Sequence, residues 1–169
     1  MLQKIQRILR HRWLDPSDSH KAIPADMVER LKRRVAASES RHSGEIRICV
    51  EASLPTSYLW RGATSRERAV KMFGKLRVWD TEHNNGVLVY LLLAERAIEI
   101  VADRGLNSRV APAEWQRIVG AMSASFQQAR IEDGLTQALE EVSALLVQHF
   151  ALGTGERNAN ELPDDPVLG

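Results

Sequence analysis

Two short polar stretches hold the residues best suited to chemistry. Asp80, Glu82, His83, Asn84 and Asn85 lie close together, as do Asp103, Arg104, Asn107, Ser108 and Arg109. Carboxylate and amide oxygens suit hard cations such as Ca²⁺ or Mg²⁺. Arginines beside such an ion suit a phosphate or carboxylate group. If the two stretches meet, Asp80, Glu82 and Asp103 are candidate metal ligands and Asp103 is the candidate catalytic residue. Arg104, Arg109, Asn107 and His83 are then candidate ligand-binding residues. Metal-assisted hydrolysis of a phosphomonoester is the chemistry such a set would perform. Each residue also has a plainer role. Asp80, Asn84 and Asn85 are ordinary turn residues, and Asp103 reads equally as a turn or helix-cap residue. His83 has no second histidine at metal spacing in its loop, and Arg104 and Arg109 read as surface charges or ion-pair partners.

The elements between these stretches predict that they do meet. Val87 to Ala94 is apolar at every position, as in a strand covered on both faces. Ala97 to Val101 follows after only Glu95 and Arg96, so the two strands form an antiparallel hairpin. A hairpin sets Asp80–Asn85 and Asp103–Arg109 at the same edge of the sheet. Ile46, Ile48 and Val50 alternate along an earlier strand, Glu45–Glu51. Thr64-Ser65-Arg66-Glu67 is a capping-box pattern opening a helix whose core side carries Ala69, Val70, Phe73 and Leu76. That strand–helix–strand unit is a right-handed parallel crossover, which brings Glu39, Arg41, His42, Ser43 and Glu45 to the same rim. Leu54–Ala63, with Tyr58 and Trp60, reads as an irregular connection that either lines a partner surface or packs over the sheet edge.

Further helices open near Pro24, with Met27, Val28, Leu31 and Val35 inward, at Pro112, and near Ile131. The fold class is α/β. It is a three-layer α/β/α sandwich with a small mixed sheet of three to four strands and helices on both faces. The expected organisation is a basic amphipathic helix and linker (1–20), the α/β/α domain (21–150) and a mobile tail (151–169).

Net charge is +1, so charge alone does not make the chain a polyanion or nucleic-acid binder. The longest apolar run has eight residues, Val87–Ala94, far below the roughly 20 that span a bilayer. The N-terminus has no apolar core of a secretory signal, and the expected location is cytoplasmic. Leu2, Ile5, Ile8, Leu9 and Trp13 recur at helical spacing among Lys4, Arg7, Arg10 and Arg12. The main reading of this helix is docking on its own domain or a partner subunit; attachment of residues 2–13 to a membrane surface is the minor one. Cys49 sits inside a strand and reads as an inert thiol. No phosphate-binding Gly-rich loop, His-Glu-x-x-His, Cys-x-x-Cys or Gly-x-Ser-x-Gly occurs.

Five segments taken together resemble the TPM domain family, in particular its short soluble bacterial members. They are Ser43-Gly44-Glu45-Ile46-Arg47-Ile48, Asn85-Gly86-Val87-Leu88-Val89, Arg96-Ala97-Ile98-Glu99-Ile100-Val101, Asp103-Arg104-Gly105-Leu106 and Gln128–Leu135. The resemblance covers roughly residues 24–150. It implies the α/β/α sandwich, divalent-metal binding and, in some relatives, acid phosphatase activity. The family's usual Gly-x-Gly-Leu-Glu loop is here Ala102-Asp103-Arg104-Gly105-Leu106-Asn107, without the first glycine and the glutamate. The expected function is a non-enzymatic binding or assembly module for a protein partner, with a divalent-metal site (Ca²⁺ or Mg²⁺) at the strand-end loops. The alternative is a metal-assisted acid phosphatase acting on phosphomonoesters.

Overall fold

Apolar runs of β-branched and leucine residues form the centre of the molecule. The computed structural model describes residues 2–169. Its sheet contains β1 (Ile46–Glu51), β2 (Val87–Leu92), β3 (Ala97–Ala102) and β4 (Val167–Leu168), in the spatial order β3-β2-β1-β4. β1 and β2 are parallel, with Ile46 opposite Val87. β2 and β3 are antiparallel, with Val87 opposite Ala102. β2 ends at Leu92 rather than Ala94, because Leu93–Glu95 coils into a 3-10 turn closed by Arg96 in the left-handed region (φ 49°).

The helices are α1 (Leu2–Arg12), α2 (Pro16–Ala22), α3 (Ala25–Glu39), α4 (Thr56–Arg61), α5 (Ser65–Lys75), α6 (Arg104–Asn107), α7 (Pro112–Gln127) and α8 (Ile131–Phe150). They cover both faces. On one face, Ile46, Ile48, Val50, Val87, Val89 and Leu91 pack with residues of α3, α7 and α8. On the other, Cys49, Leu88, Tyr90 and Leu92 pack with Leu59 of α4 and Ala69 and Met72 of α5. Period-two alternation sends neighbouring side chains to opposite layers, and both layers are filled. The result is the expected three-layer sandwich, with four strands.

Several local expectations change. The linker expected within residues 1–20 is helical: Asp15 caps α2, accepting from Ser17 N–H (2.7 Å), while the Asp18 carboxylate accepts from Asp15 N–H (2.9 Å). Pro16 then stands where a proline starts a helix well. Leu54–Ala63 is not irregular throughout, since α4 occupies its middle and Gly62 closes it with φ 72°. The Thr64 capping box forms as expected, but Val70 is half exposed rather than in the core.

The segment after Phe150 is no free tail. Val167–Leu168 add β4 in parallel to β1, with Cys49 opposite Val167. Leu162 is buried, and Arg47 donates to Pro163 O. Composition misled here because the segment is held by scattered contacts, the backbone of Glu161, Leu162, Pro163 and Gly169 together with the Asn158 amide and the buried Leu162 side chain.

α1 also differs. Of its apolar stripe, Ile8 packs on the core, whereas Ile5, Leu9 and Trp13 are exposed. The Leu2 side chain lies outside the described residues. Among the described residues no helix is long and apolar enough to cross a membrane.

Candidate functional site

The three loops meet at one rim, as the topology requires. Asp103 N–H donates to Gly86 O (2.9 Å) and Gly105 N–H to Asn84 O (2.8 Å). Asn85 Nδ2 reaches Ser43 Oγ (3.2 Å). A Cβ on Gly105 would run into His83 O and Asn84 O, and one on Gly86 into Val78 O. Both glycines are therefore required by close backbone approach, independent of φ.

The rim is half closed. Glu39, His42 and Glu45, which precede β1, are buried. Glu39 Oε1 accepts from Ile46 N–H (2.8 Å). Glu45 accepts from Glu161 N–H (3.1 Å) and Leu162 N–H (3.2 Å). Asn158 Nδ2 donates to His42 O (2.9 Å) and Gly44 O (3.1 Å). The C-terminal segment thus covers the β1 side of the rim. Burial pushes the Glu39 carboxyl up to about 9, and the nearby Glu45 and Asp164 add to the rise. Burial raises the Glu45 carboxyl as well, and lowers His42 to about 4.

The open half belongs to β2 and β3. Asp103 caps α6, with Oδ1 accepting from Arg104 N–H (2.7 Å). Its Oδ2, like Oδ1 of the fully buried Asn85, has no hydrogen-bond partner among the described residues. Arg104 Nη2 reaches Asn84 Oδ1 (3.4 Å). Asp80, Glu82 and His83 are exposed, and Glu82 N–H donates to the Glu161 carboxylate (3.1 Å). Among the described residues no group of three or more His, Cys, Asp or Glu gathers as metal ligands. Asp80, Glu82 and Asp103 belong to no such group among the described residues.

Asn107 and Arg109 turn away from this half-rim. Arg109 Nη1 donates to His149 O at the end of α8 (3.2 Å) and lies over the Phe150 ring (4.7 Å). Both residues line a groove of about 930 Å³ that runs along β3, together with Arg66, Ile100, Val110 and Trp115. β3 is an edge strand. Because Asp103 N–H points to Gly86, alternation of the antiparallel ladder turns the backbone groups of Ile98, Ile100 and Ala102 outward. Arg66 Nη1 takes the Ile100 carbonyl (2.5 Å). Trp115 Nε1 is buried with no partner among the described residues.

The sequence pointed to Asn107 and Arg109 as ligand-binding residues of the rim, not as walls of this groove, and it did not point to Arg66, Val110 or Trp115. The edge position of β3 was the missing signal, and it depends on strand order. Elsewhere the readings of single residues fit their surroundings. Cys49 is fully buried, and burial pushes its thiol up to about 12. Trp60 is exposed rather than packed over the sheet edge.

At the opposite end of β1 lies a polar cluster that the sequence did not signal. Glu51 accepts from Arg68 Nε (2.7 Å) and Nη2 (2.5 Å), and Tyr90 Oη donates to Glu51 Oε2 (2.7 Å). Ala52 N–H and the Val50 carbonyl bond Gly169 (2.8 and 2.9 Å), closing that end.

The model of the TPM domain matches residues 17–145, and the chain belongs to that family. Two solved structures are similar to it. One is the BA42 protein from the psychrophilic bacterium Bizionia argentinensis, at 24% identity and a TM-score of 0.75, covering 87% of this chain and 95% of that one. The other is the N-terminal domain of a protein from P. gingivalis, at 20% identity and a TM-score of 0.61, covering 78% and 83%. At these identities the likeness is one of fold. No curated protein matches the chain.

Proposed function

We propose that this TPM domain is a non-enzymatic binding module that takes an extended acidic peptide segment along the outer edge of β3. One observation supports the reading: an unpaired strand edge opens onto a groove along β3. A peptide added there pairs with the outward backbone groups of Ile98, Ile100 and Ala102, as in other strand additions. Val110, Trp115 and Val119 offer apolar wall to its alternate side chains. Arg109, and Arg66, which lies 3.8 Å from the Glu99 carboxylate in the same groove, offer guanidinium groups to its carboxylates. In the free protein Arg66 masks the edge by holding Ile100 O, one of the ways exposed edges are protected from unwanted pairing. The reading needs no metal ion.

Selection from a random displayed-peptide library tests it. Enriched peptides should alternate apolar and acidic residues and lose binding to the Arg66→Glu protein. Enrichment indifferent to Arg66→Glu would remove the groove from the reading. The rival, a metal-assisted acid phosphatase, draws on the family and on the free Oδ2 of Asp103. It requires turnover of para-nitrophenyl phosphate at mildly acidic pH, in millimolar Ca²⁺ or Mg²⁺, that Asp103→Asn abolishes without lowering the melting temperature. Such turnover would replace the binding reading.

A further inference from the structure

α1 meets the domain through its polar side. Lys4 Nζ donates to Trp60 O (2.8 Å). Arg7 donates to Glu95 Oε1 (2.6 Å) and Ala63 O (2.6 Å). The His11 ring bridges Glu95 Oε1 (2.9 Å) and Leu54 N–H (3.0 Å), and His11 is 3% exposed. Lys4, Arg7 and His11 recur at helical spacing and so define the docked face. On the other face, Ile5 and Leu9 are each 49% exposed and Trp13, which continues the last turn, is 84% exposed. At 3.6 residues per turn, Arg10 and Arg12 fall on either flank of this stripe, and both are exposed. Trp60, 66% exposed, stands where Lys4 anchors the helix, followed by exposed Arg61.

A surface helix ordinarily buries its apolar stripe against its own core. Here the domain holds the stripe outward and fixes its orientation with buried polar contacts. A second copy is a poor occupant. A stable interface covers about 800 Å² on each partner, more than three side chains on one short helix provide. A symmetric pairing would also bring Arg10 and Arg12 of the two copies together. An apolar stripe with a terminal tryptophan, edged by arginines, matches a bilayer interface bearing negative headgroups.

We infer that α1 docks the protein on an anionic membrane surface, with Ile5, Leu9 and Trp13 inserted among the headgroups and Arg10 and Arg12 on acidic lipids. The helix lies flat and keeps its contacts with Glu95 and Ala63, so the domain rides directly on the bilayer.

Co-sedimentation of the full chain with vesicles tests this. The protein should pellet with phosphatidylcholine–phosphatidylserine vesicles, pellet at least tenfold less with phosphatidylcholine alone, and dissociate as salt is raised. Leu9→Ser with Trp13→Ser should abolish pelleting at unchanged melting temperature, because both side chains are exposed. Arg10→Glu with Arg12→Glu should weaken it at least tenfold. No pelleting with the acidic vesicles, or pelleting untouched by the Leu9/Trp13 pair, overturns the inference. A dimer in sedimentation velocity that the same pair dissolves also overturns it, and assigns the stripe to a second copy.

Discussion

The two ends of the sheet handle buried charge in opposite ways. Beyond the C-terminal end of β1, the Glu51 carboxylate is satisfied by both Arg68 nitrogens and the Tyr90 hydroxyl. Each group has its partner within the protein. At the rim, Asn85 Oδ1 and Asp103 Oδ2 have none among the described residues, and burial beside Glu45 and Asp164 holds the Glu39 carboxyl far above the ordinary range. A closed network spends its polar groups on holding the fold, whereas the rim buries polar oxygens that the fold leaves unpaired.

The contrast can be broken most forcefully at the closed end. Arg68→Ala strands the Glu51 carboxylate in a buried position, and urea denaturation should show a loss of about 3–5 kcal/mol. Replacing Arg68, Glu51 and Tyr90 together by Met, Leu and Phe should recover most of it, since no buried polar group is then left without a partner. A loss below about 1 kcal/mol for Arg68→Ala would mean that water screens the pair and that this end is not closed.

At the rim, Glu39→Gln keeps an acceptor for Ile46 N–H and removes the ionisable group. The Glu39 carboxyl is raised from an ordinary 4.5 to about 9 in the fold. Its stabilisation is complete below the unfolded value and drains away as pH rises toward the folded one. Wild type and variant should therefore be alike at pH ~4, and the variant more stable by several kcal/mol at pH ~8. Equal stability at both values would show that Glu39 ionises freely in the folded protein.

Asp103 should matter less to stability. Asp103→Ala removes the cap on Arg104 N–H, worth about 1 kcal/mol, while Asp103→Asn keeps an equivalent cap and should leave thermal melting unchanged. A large loss in the Asn variant would mean that the charge itself is used. Smallest of all should be the response to divalent ions. Millimolar Ca²⁺ or Mg²⁺ should not move the melting temperature, because no group of three His, Cys, Asp or Glu is assembled among the described residues. A rise of several degrees, lost in Asp103→Asn, would restore a metal to the rim through linkage.

Local chemistry carried a large share of what could be read in advance. The capping box at Thr64, the continuous apolar run at Val87 and the short Glu95-Arg96 connection each specify geometry within a few residues. Their consequence, that Asp80–Asn85 and Asp103–Arg109 share a rim, follows from strand direction alone. The period-two alternation of β1 identified the face of Ile46, Ile48 and Val50 and said nothing of what covers Arg47 and Glu51. In the fold both are buried, one under the C-terminal segment and the other against Arg68. That cover comes from residues far away in the chain, beyond the reach of any periodicity.

The chain by itself determined the layer architecture, the hairpin and the converging loops, because backbone propensity, turn chemistry and apolar period act over short distances. Only the tertiary structure decided which half of the rim stays open, which edge of the sheet is free and which face of α1 looks outward. Those outcomes depend on competition among distant segments for the same surface. The 151–169 segment takes β4's place and covers the loop before β1, leaving β3 without an outer neighbour in the sheet. Likewise Glu95 and the backbone of Leu54, Trp60 and Ala63 claim the polar side of α1, so its apolar side is left to the solvent.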